Sequence, residues 1–185
     1  MGKPDLENRR PVPEPFHRNS SRYRRVAVGG TFDIIHLGHE ILLGTAFKIG
    51  ENVVIGLSTD KLAEEIGKGH RVHPFHKRKD ALLNFLEEKG YLDKAEIVPI
   101  DDRYGTTLED VGLEAVVVSR ETAGIADQIN QIRVRKGLKP LNIIAIETVK
   151  AEDGKPISSS RIRRGEIDKF GKPLWRVKPP HHRGE

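Results

Sequence analysis

Five short apolar runs, alternating with segments of helical spacing, constrain this chain more than any other feature in it. The runs are 25–30 (RVAVGG), 52–58 (NVVIGLS), 95–100 (AEIVPI), 114–119 (EAVVVS) and 141–149 (LNIIAIETV). They are nearly continuously apolar and lack simple alternation, as strands buried on both faces are. Segments 40–50, 76–90 and 121–137 carry apolar residues at helical spacing and stop at Gly50, Gly90 and Gly137, the residue type that most readily ends a helix. Strand and helix in alternation predict an α/β fold: a Rossmann-like, doubly wound, parallel five-stranded sheet with right-handed crossovers and helices on both faces. Such sheets bind ligands beyond the carboxyl ends of their strands, near the switch point in strand order. The ends of the runs are therefore where chemistry is to be sought.

Charge and composition narrow the class. The chain of 185 residues suits one domain, and 36% apolar content is enough for a real core. It has no cysteine, which removes disulfides, thiolate metal sites and a cysteine nucleophile. No apolar run approaches a membrane span and no secretory leader is visible, so a cytoplasmic enzyme without a membrane partner is expected. The net charge of +5 lives in the ends of the chain. Residues 1–25 and 169–185 are strongly basic, whereas 26–168 holds 20 Lys and Arg against 23 Asp and Glu. We therefore expect a flexible basic arm over 1–22, where "PVPEPF" breaks regular structure, a folded body over 23–168 and a basic tail over 169–185. A slightly acidic body must bind any anion through a local arrangement and not through its overall field. With ten aromatic residues for base stacking, no nucleic-acid partner is expected.

The first such arrangement is "GGTFDIIHLGHE", 29–40, at the end of the first run. Gly29 and Gly30 allow a tight turn and close approach of a ligand to the backbone. A helix starting near Leu37 or Gly38 puts His36 and His39 on one face of its first turn. Free N–H groups and the positive end of the helix dipole make that turn an anion site. Two imidazoles there can grip adjoining phosphate oxygens, Gly38 leaves room for the phosphate chain, and Thr31 offers a hydroxyl to a second anion. The second arrangement is "PISSSRIRRGEID", 156–168, after the fifth run. Ser158 to Ser160 form a helix cap and first turn, with Arg161 and Arg163 close by. Taken alone, it is equally an ordinary capped helix with a solvated arginine face.

The two stretches together carry a resemblance. "GGTFDIIHLGH" resembles the HxGH signature of the nucleotidyltransferases, and "ISSSRIR" resembles their ISSTxxR motif, with Ser160 in the place of Thr and Arg163 at the basic position. The intervening "GLSTD" and "KR…ALLNFL" stretches are most similar to the archaeal type of phosphopantetheine adenylyltransferase, over about residues 24–168. That resemblance implies transfer of the adenylyl group of ATP to 4′-phosphopantetheine, giving dephospho-coenzyme A and pyrophosphate. It implies that His39 stabilises the α-phosphate in the transition state. His36, Gly30, Thr31, Ser158, Ser159, Ser160 and Arg163 would hold ATP. Thr31 and Lys68 would orient the acceptor phosphate, and Arg120, ending "VVVSR", would meet phosphates or acceptor. Mg²⁺ would arrive on the ATP phosphates, with no dedicated protein metal site. The acceptor phosphate is already an anion near pH 7, so the reaction calls for neutralised charge and alignment more than for a strong base. A transferase with another phosphorylated acceptor, such as FMN, is the alternative. The sequence leaves the oligomeric state open.

Other stretches keep two readings. His70, His73 and His76 lie three apart, as metal ligands or as part of a basic loop whose Lys68, Arg71 and Arg78 close over ATP. Asp33 reads as a turn residue. "DDRYGTT", 101–107, is either part of the acceptor side or a polar surface loop.

Overall fold

The apolar runs become strands β1 (Tyr23–Gly30), β2 (Gly50–Ser58), β3 (Ala95–Ile100), β4 (Ala115–Ser119) and β5 (Asn142–Ile146) in a computed structural model. The structure describes residues 23–67 and 72–174. The arm 1–22, Lys68, His70, Arg71 and the chain from Trp175 onward lie outside the described residues. Every strand pairing is parallel, in the order β3-β2-β1-β4-β5. The chain therefore winds outward from β1 to β3, returns, and winds the other way through β4 and β5. The switch point falls between β1 and β4, beside Gly29 and Gly30.

Among the described residues five helices accompany the sheet: α1 (Leu37–Ile49), α2 (Asp60–Ile66), α3 (Phe75–Glu88), α4 (Ala123–Arg135) and α5 (Ser159–Arg163). Alternate strand residues point to opposite faces, and both faces are covered. On one, Val26, Val28, Val53, Ile55 and Leu57 meet Leu43 and Phe47 of α1 and Leu82, Phe85 and Leu86 of α3. On the other, Ala27, Val54 and Val116 meet Ala126 and Ile129 of α4. This double burial is why the runs of β1, β2 and β4 lack alternation, whereas the edge strands β3 and β5 are only partly buried. Each large side chain so buried contributes roughly 1.5–3 kcal/mol. A smaller cluster of Ala151, Ile157 and Ile167, with Leu37, Val149 and Ile162 against it, seats α5 next to the start of α1.

Three details depart from the sequence reading. Helix α2 was not expected: it buries only Leu62 and Ala63, too few apolar positions to show a period. The third expected helix starts at Ala123 because Arg120–Thr122 forms a 3-10 turn first. Strand β5 stops at Ile146, short of 149, and Lys150 then pairs antiparallel with Pro156, folding the chain back. Past residue 168 the chain stays on the body as far as Leu174. Ile167 bridges Pro173, and the Lys169 carbonyl accepts the Leu37 N–H at 3.0 Å. No helix among the described residues is long and apolar enough to cross a membrane.

Candidate active site

The loop 31–36 between β1 and α1 is built tightly. Phe32 sits at φ 48°, a backbone region that costs a bulky residue about 1–3 kcal/mol. Its ring is fully buried, and a Cβ on Gly30 would come within 3.1 Å of it. Glycine at 30 thus makes room for the ring as well as for a ligand. The strained turn delivers the chain into α1 with His36 as the cap.

His36 Nδ1 accepts the Gly38 N–H at 3.1 Å. A neutral His36 ring therefore carries its proton on Nε2. His39 Nδ1 lies 3.1 Å from the Ile34 carbonyl, which can only accept, so Nδ1 donates and a neutral His39 ring has its lone pair on Nε2. The two rings stack with centroids 3.9 Å apart and planes 20° from parallel. Burial depresses His36 from the ordinary 6.5 to about 4. His39 falls to about 3, first through burial and then through the neighbouring His36. Two of the N–H groups at the start of α1 are already taken, Leu37 by the Lys169 carbonyl and Gly38 by His36. The anion site here thus rests more on imidazoles and less on free backbone than the sequence reading held. A side chain at 38 would reach 3.0 Å from the His36 ring, so Gly38 protects the ring as well as the phosphate path.

Ser158 caps α5, its hydroxyl accepting the Arg161 N–H at 3.4 Å. Ser159 Oγ lies 3.3 Å from the Ile34 nitrogen and donates to the Ile34 oxygen at 3.2 Å. The two motifs, more than a hundred residues apart in sequence, therefore meet at one peptide. The arginines of α5 are occupied. Arg161 pairs with Asp153 and with Glu166. Arg163 Nη2 pairs with Asp33 Oδ2 at 2.6 Å.

A cavity of about 490 Å³ opens along the carboxyl ends of the strands. Gly30, Thr31, His36, His39, Ser158 and Ser159 line it. Ser160, Arg163 and Arg120 are not among its lining residues. Arg120 sits at the end of β4, exposed, and pairs with Glu147 at 2.6 Å. Arg103 to Thr107 also line the cavity, so "DDRYGTT" is more than a surface loop. Farther in, Val54, Leu62, Ile66 and Ile129 give it apolar walls.

Arg78 does not close over a ligand. Its side chain is wholly buried and donates to the carbonyls of Thr31 (2.9 Å), Ser58 (2.8 Å) and His73 (2.7 Å) and to Asp60 (2.8 Å). The guanidinium thus pins the base of the loop. One signal in the sequence pointed there: Arg78 shares the spacing of Leu82, Phe85 and Leu86 on the buried stripe of α3. Asp33 is no plain turn residue either, being buried between Arg163 and His73. Of the three evenly spaced histidines, His70 lies outside the described residues, and among the described ones no three His, Asp or Glu side chains come together as metal ligands. His73 faces Asp33 with the Arg163 cation beside it, a poor place for a metal ion.

The family model described as cytidylyltransferase-like matches residues 27–165. A phosphopantetheine adenylyltransferase of Methanopyrus kandleri is 52% identical over 80% of this chain and 93% of its own length. One from Methanothermobacter thermautotrophicus is 46% identical over 85% of this chain and 93% of its own. Among solved structures, a protein with unknown function from Archaeoglobus fulgidus matches with a TM-score of 0.61 at 34% identity, over 72% of this chain and 99% of that one.

Proposed function

The chain belongs to the family of the archaeal phosphopantetheine adenylyltransferases, within the cytidylyltransferase-like group, and on that premise we propose how it works. It moves the adenylyl group of ATP to 4′-phosphopantetheine, giving dephospho-coenzyme A and pyrophosphate, a step in coenzyme A biosynthesis. An oxygen of the acceptor phosphate attacks the α-phosphorus of ATP in line. The bond from that phosphorus to the bridging oxygen breaks, and pyrophosphate leaves with the electron pair. One observation carries the assignment of roles: the cavity is bounded by two helix starts that meet at the Ile34 peptide.

The His39 Nε2 faces the α-phosphate, where negative charge grows in the transition state. The His36 Nε2–H donates to a neighbouring ATP oxygen. Gly30 lets the nucleotide approach the end of β1. Ser158, Ser159 and Ser160 take the outer phosphates, and Arg163, paired with Asp33, holds their helix against the loop. Thr31 and Lys68 orient the acceptor phosphate, and Arg120 adds charge at the rim once it leaves Glu147. Mg²⁺ enters with ATP as part of that substrate, and no protein site is assigned to it. The remaining length of the cavity, past Val54 and Leu62, suits the uncharged arm of the acceptor. The catalytic unit is the body from residue 23 to 168, with Lys169 capping α1. We place the reaction in the cytoplasm.

Turnover with ATP and 4′-phosphopantetheine, read as dephospho-coenzyme A and pyrophosphate, tests the reading. FMN as the competing acceptor should give no product. Turnover with FMN alone would overturn it.

A further inference from the structure

Asp33 has a side chain only 4% exposed, and both of its oxygens are engaged. Oδ2 accepts from Arg163 Nη2 at 2.6 Å. Oδ1 accepts the His73 N–H at 2.8 Å and lies 2.9 Å from His73 Nδ1. The next residue is as fully committed. The Ile34 carbonyl accepts from His39 Nδ1 and from Ser159 Oγ. Two consecutive residues thus join α1, α5 and His73. Arg78 holds the carbonyl of the same His73 at 2.7 Å. Burial alone would raise the Asp33 carboxyl, but the His73 N–H and the Arg163 guanidinium hold it below the usual carboxylate range.

Stability alone does not call for such a contact, because apolar groups of the same volume often serve as well as a buried ion pair. What a carboxylate adds is direction. Its bonds to Arg163 and His73 leave the loop one orientation, and the Ile34 carbonyl turns with it.

We propose that Asp33 is a positioning residue for adenylyl transfer: by clamping Arg163 and His73 it fixes the Ile34 peptide, and through its carbonyl the ring of His39. The inference rests on the role given above to His39. Arg163 in this arrangement serves the site through Asp33.

The test compares Asp33→Asn, Arg163→Gln and the double variant in turnover of ATP with 4′-phosphopantetheine. Asp33→Asn keeps the volume and an acceptor for the His73 N–H but removes the charge. Each single change should lower kcat about thirtyfold and leave KM for ATP within about threefold, the mark of a reacting group displaced by a fraction of an ångström. The double variant should fall within about threefold of the worse single, because both changes break one contact. Nitrogen-15 NMR of His39 in the ligand-free chain gives a readout apart from folding. The Nδ1–H tautomer should dominate in the unaltered protein and give way to a mixture in Asp33→Asn. Losses that multiply in the double variant, unaltered turnover in Asp33→Asn, or an unaltered His39 tautomer there would each overturn the proposal. Should Asp33→Asn not fold, Arg163→Lys keeps the charge but loses the guanidinium fork. Unaltered kcat in that variant overturns the proposal equally. If the unaltered chain itself failed to use 4′-phosphopantetheine, the functional reading would fall first.

Discussion

The two helix starts that face the cavity hold their charge in opposite ways. At α1 the groups are imidazoles, held neutral by burial and stacked on one another. At α5 they are hydroxyls backed by arginines, permanently charged but each matched to an acid: Arg161 to Asp153 and Glu166, Arg163 to Asp33, Arg164 to Glu166. Helix α5 has only five residues, so its own dipole is slight. A stretch dense in arginine therefore adds little unpaired charge of its own, and the imidazoles hold theirs in reserve. At these two helix starts, charge matched to an anion therefore comes from a proton loaded at α1, while the α5 pairs stay closed.

The largest expected effect lies beneath the α1 side. Arg78→Ala removes a buried guanidinium from three carbonyls and Asp60. Leaving such groups buried without partners should cost about 3–5 kcal/mol in denaturant unfolding. A cost below about 1 kcal/mol would mean that water replaces the side chain and that the loop is held by other means.

Next comes His39→Ala, which removes a group proposed to act on the transition state. It should lower kcat about a hundredfold or more while ATP binding stays within about tenfold. Turnover close to that of the unaltered enzyme would break the contrast between the two helix starts.

Legibility in the sequence followed the kind of force at work. The order of strands and helices was readable because burial on both faces leaves a continuous apolar record, as in Val53 to Ile55. His36, His39, Ser158 and Ser159 were readable because their spacing is local and their chemistry is visible one residue at a time. Asp33 and the engagement of Arg163 were not, because each depends on a partner 40 to 130 positions away; Arg78 shared the spacing of a buried stripe, but the groups it bonds were hidden. A charged residue in a sequence looks solvated by default. Only the fold shows which carbonyls Arg78 holds and that Arg163 is already paired. The tautomers of the histidine pair were hidden for the same reason, being set by backbone groups and not by side-chain type.

The imidazole side can be probed by pH. The unfolded chain takes up its histidine protons near 6.5, whereas the folded, empty site resists until about 4 at His36 and about 3 at His39. Below 6.5 the unfolded state therefore binds more protons. Stability of the empty chain is fully present above that pH and falls as pH drops toward 4, by up to roughly 1.4 kcal/mol per pH unit for each proton. Thermal unfolding between pH 7 and 4.5 should show this fall, and the His39→Asn variant should show less of it. On the role proposed for His39, ATP should change the sign at that group. To donate to phosphate, His39 must gain a proton on Nε2, since Nδ1 is committed to Ile34. Nucleotide binding should then take up close to one proton near pH 7 and weaken as pH rises. Calorimetry in two buffers of different ionisation heat reads that uptake directly. Binding with no proton uptake from pH 6 to 8 would mean that His39 stays neutral and that the α1 side works through the His36 N–H and shape, without charge.

The smallest expected effect lies at α5. Ser158→Ala removes a cap whose hydrogen bond is long, 3.4 Å to the Arg161 N–H, on a helix already pinned by Ile157, Ile162 and Ile167. The loss should be about 0.5–1 kcal/mol of stability. Its effect on catalysis should show as a severalfold rise in KM for ATP with kcat nearly kept, because a hydroxyl on an outer phosphate binds ground state and transition state alike. The comparison with His39→Ala is then direct. One variant should lose kcat and keep binding; the other should lose binding and keep kcat. Were Ser158→Ala to lower kcat as far as His39→Ala, the hydroxyls of α5 would be following the charge on the leaving pyrophosphate. The two helix starts would then share one role instead of dividing it.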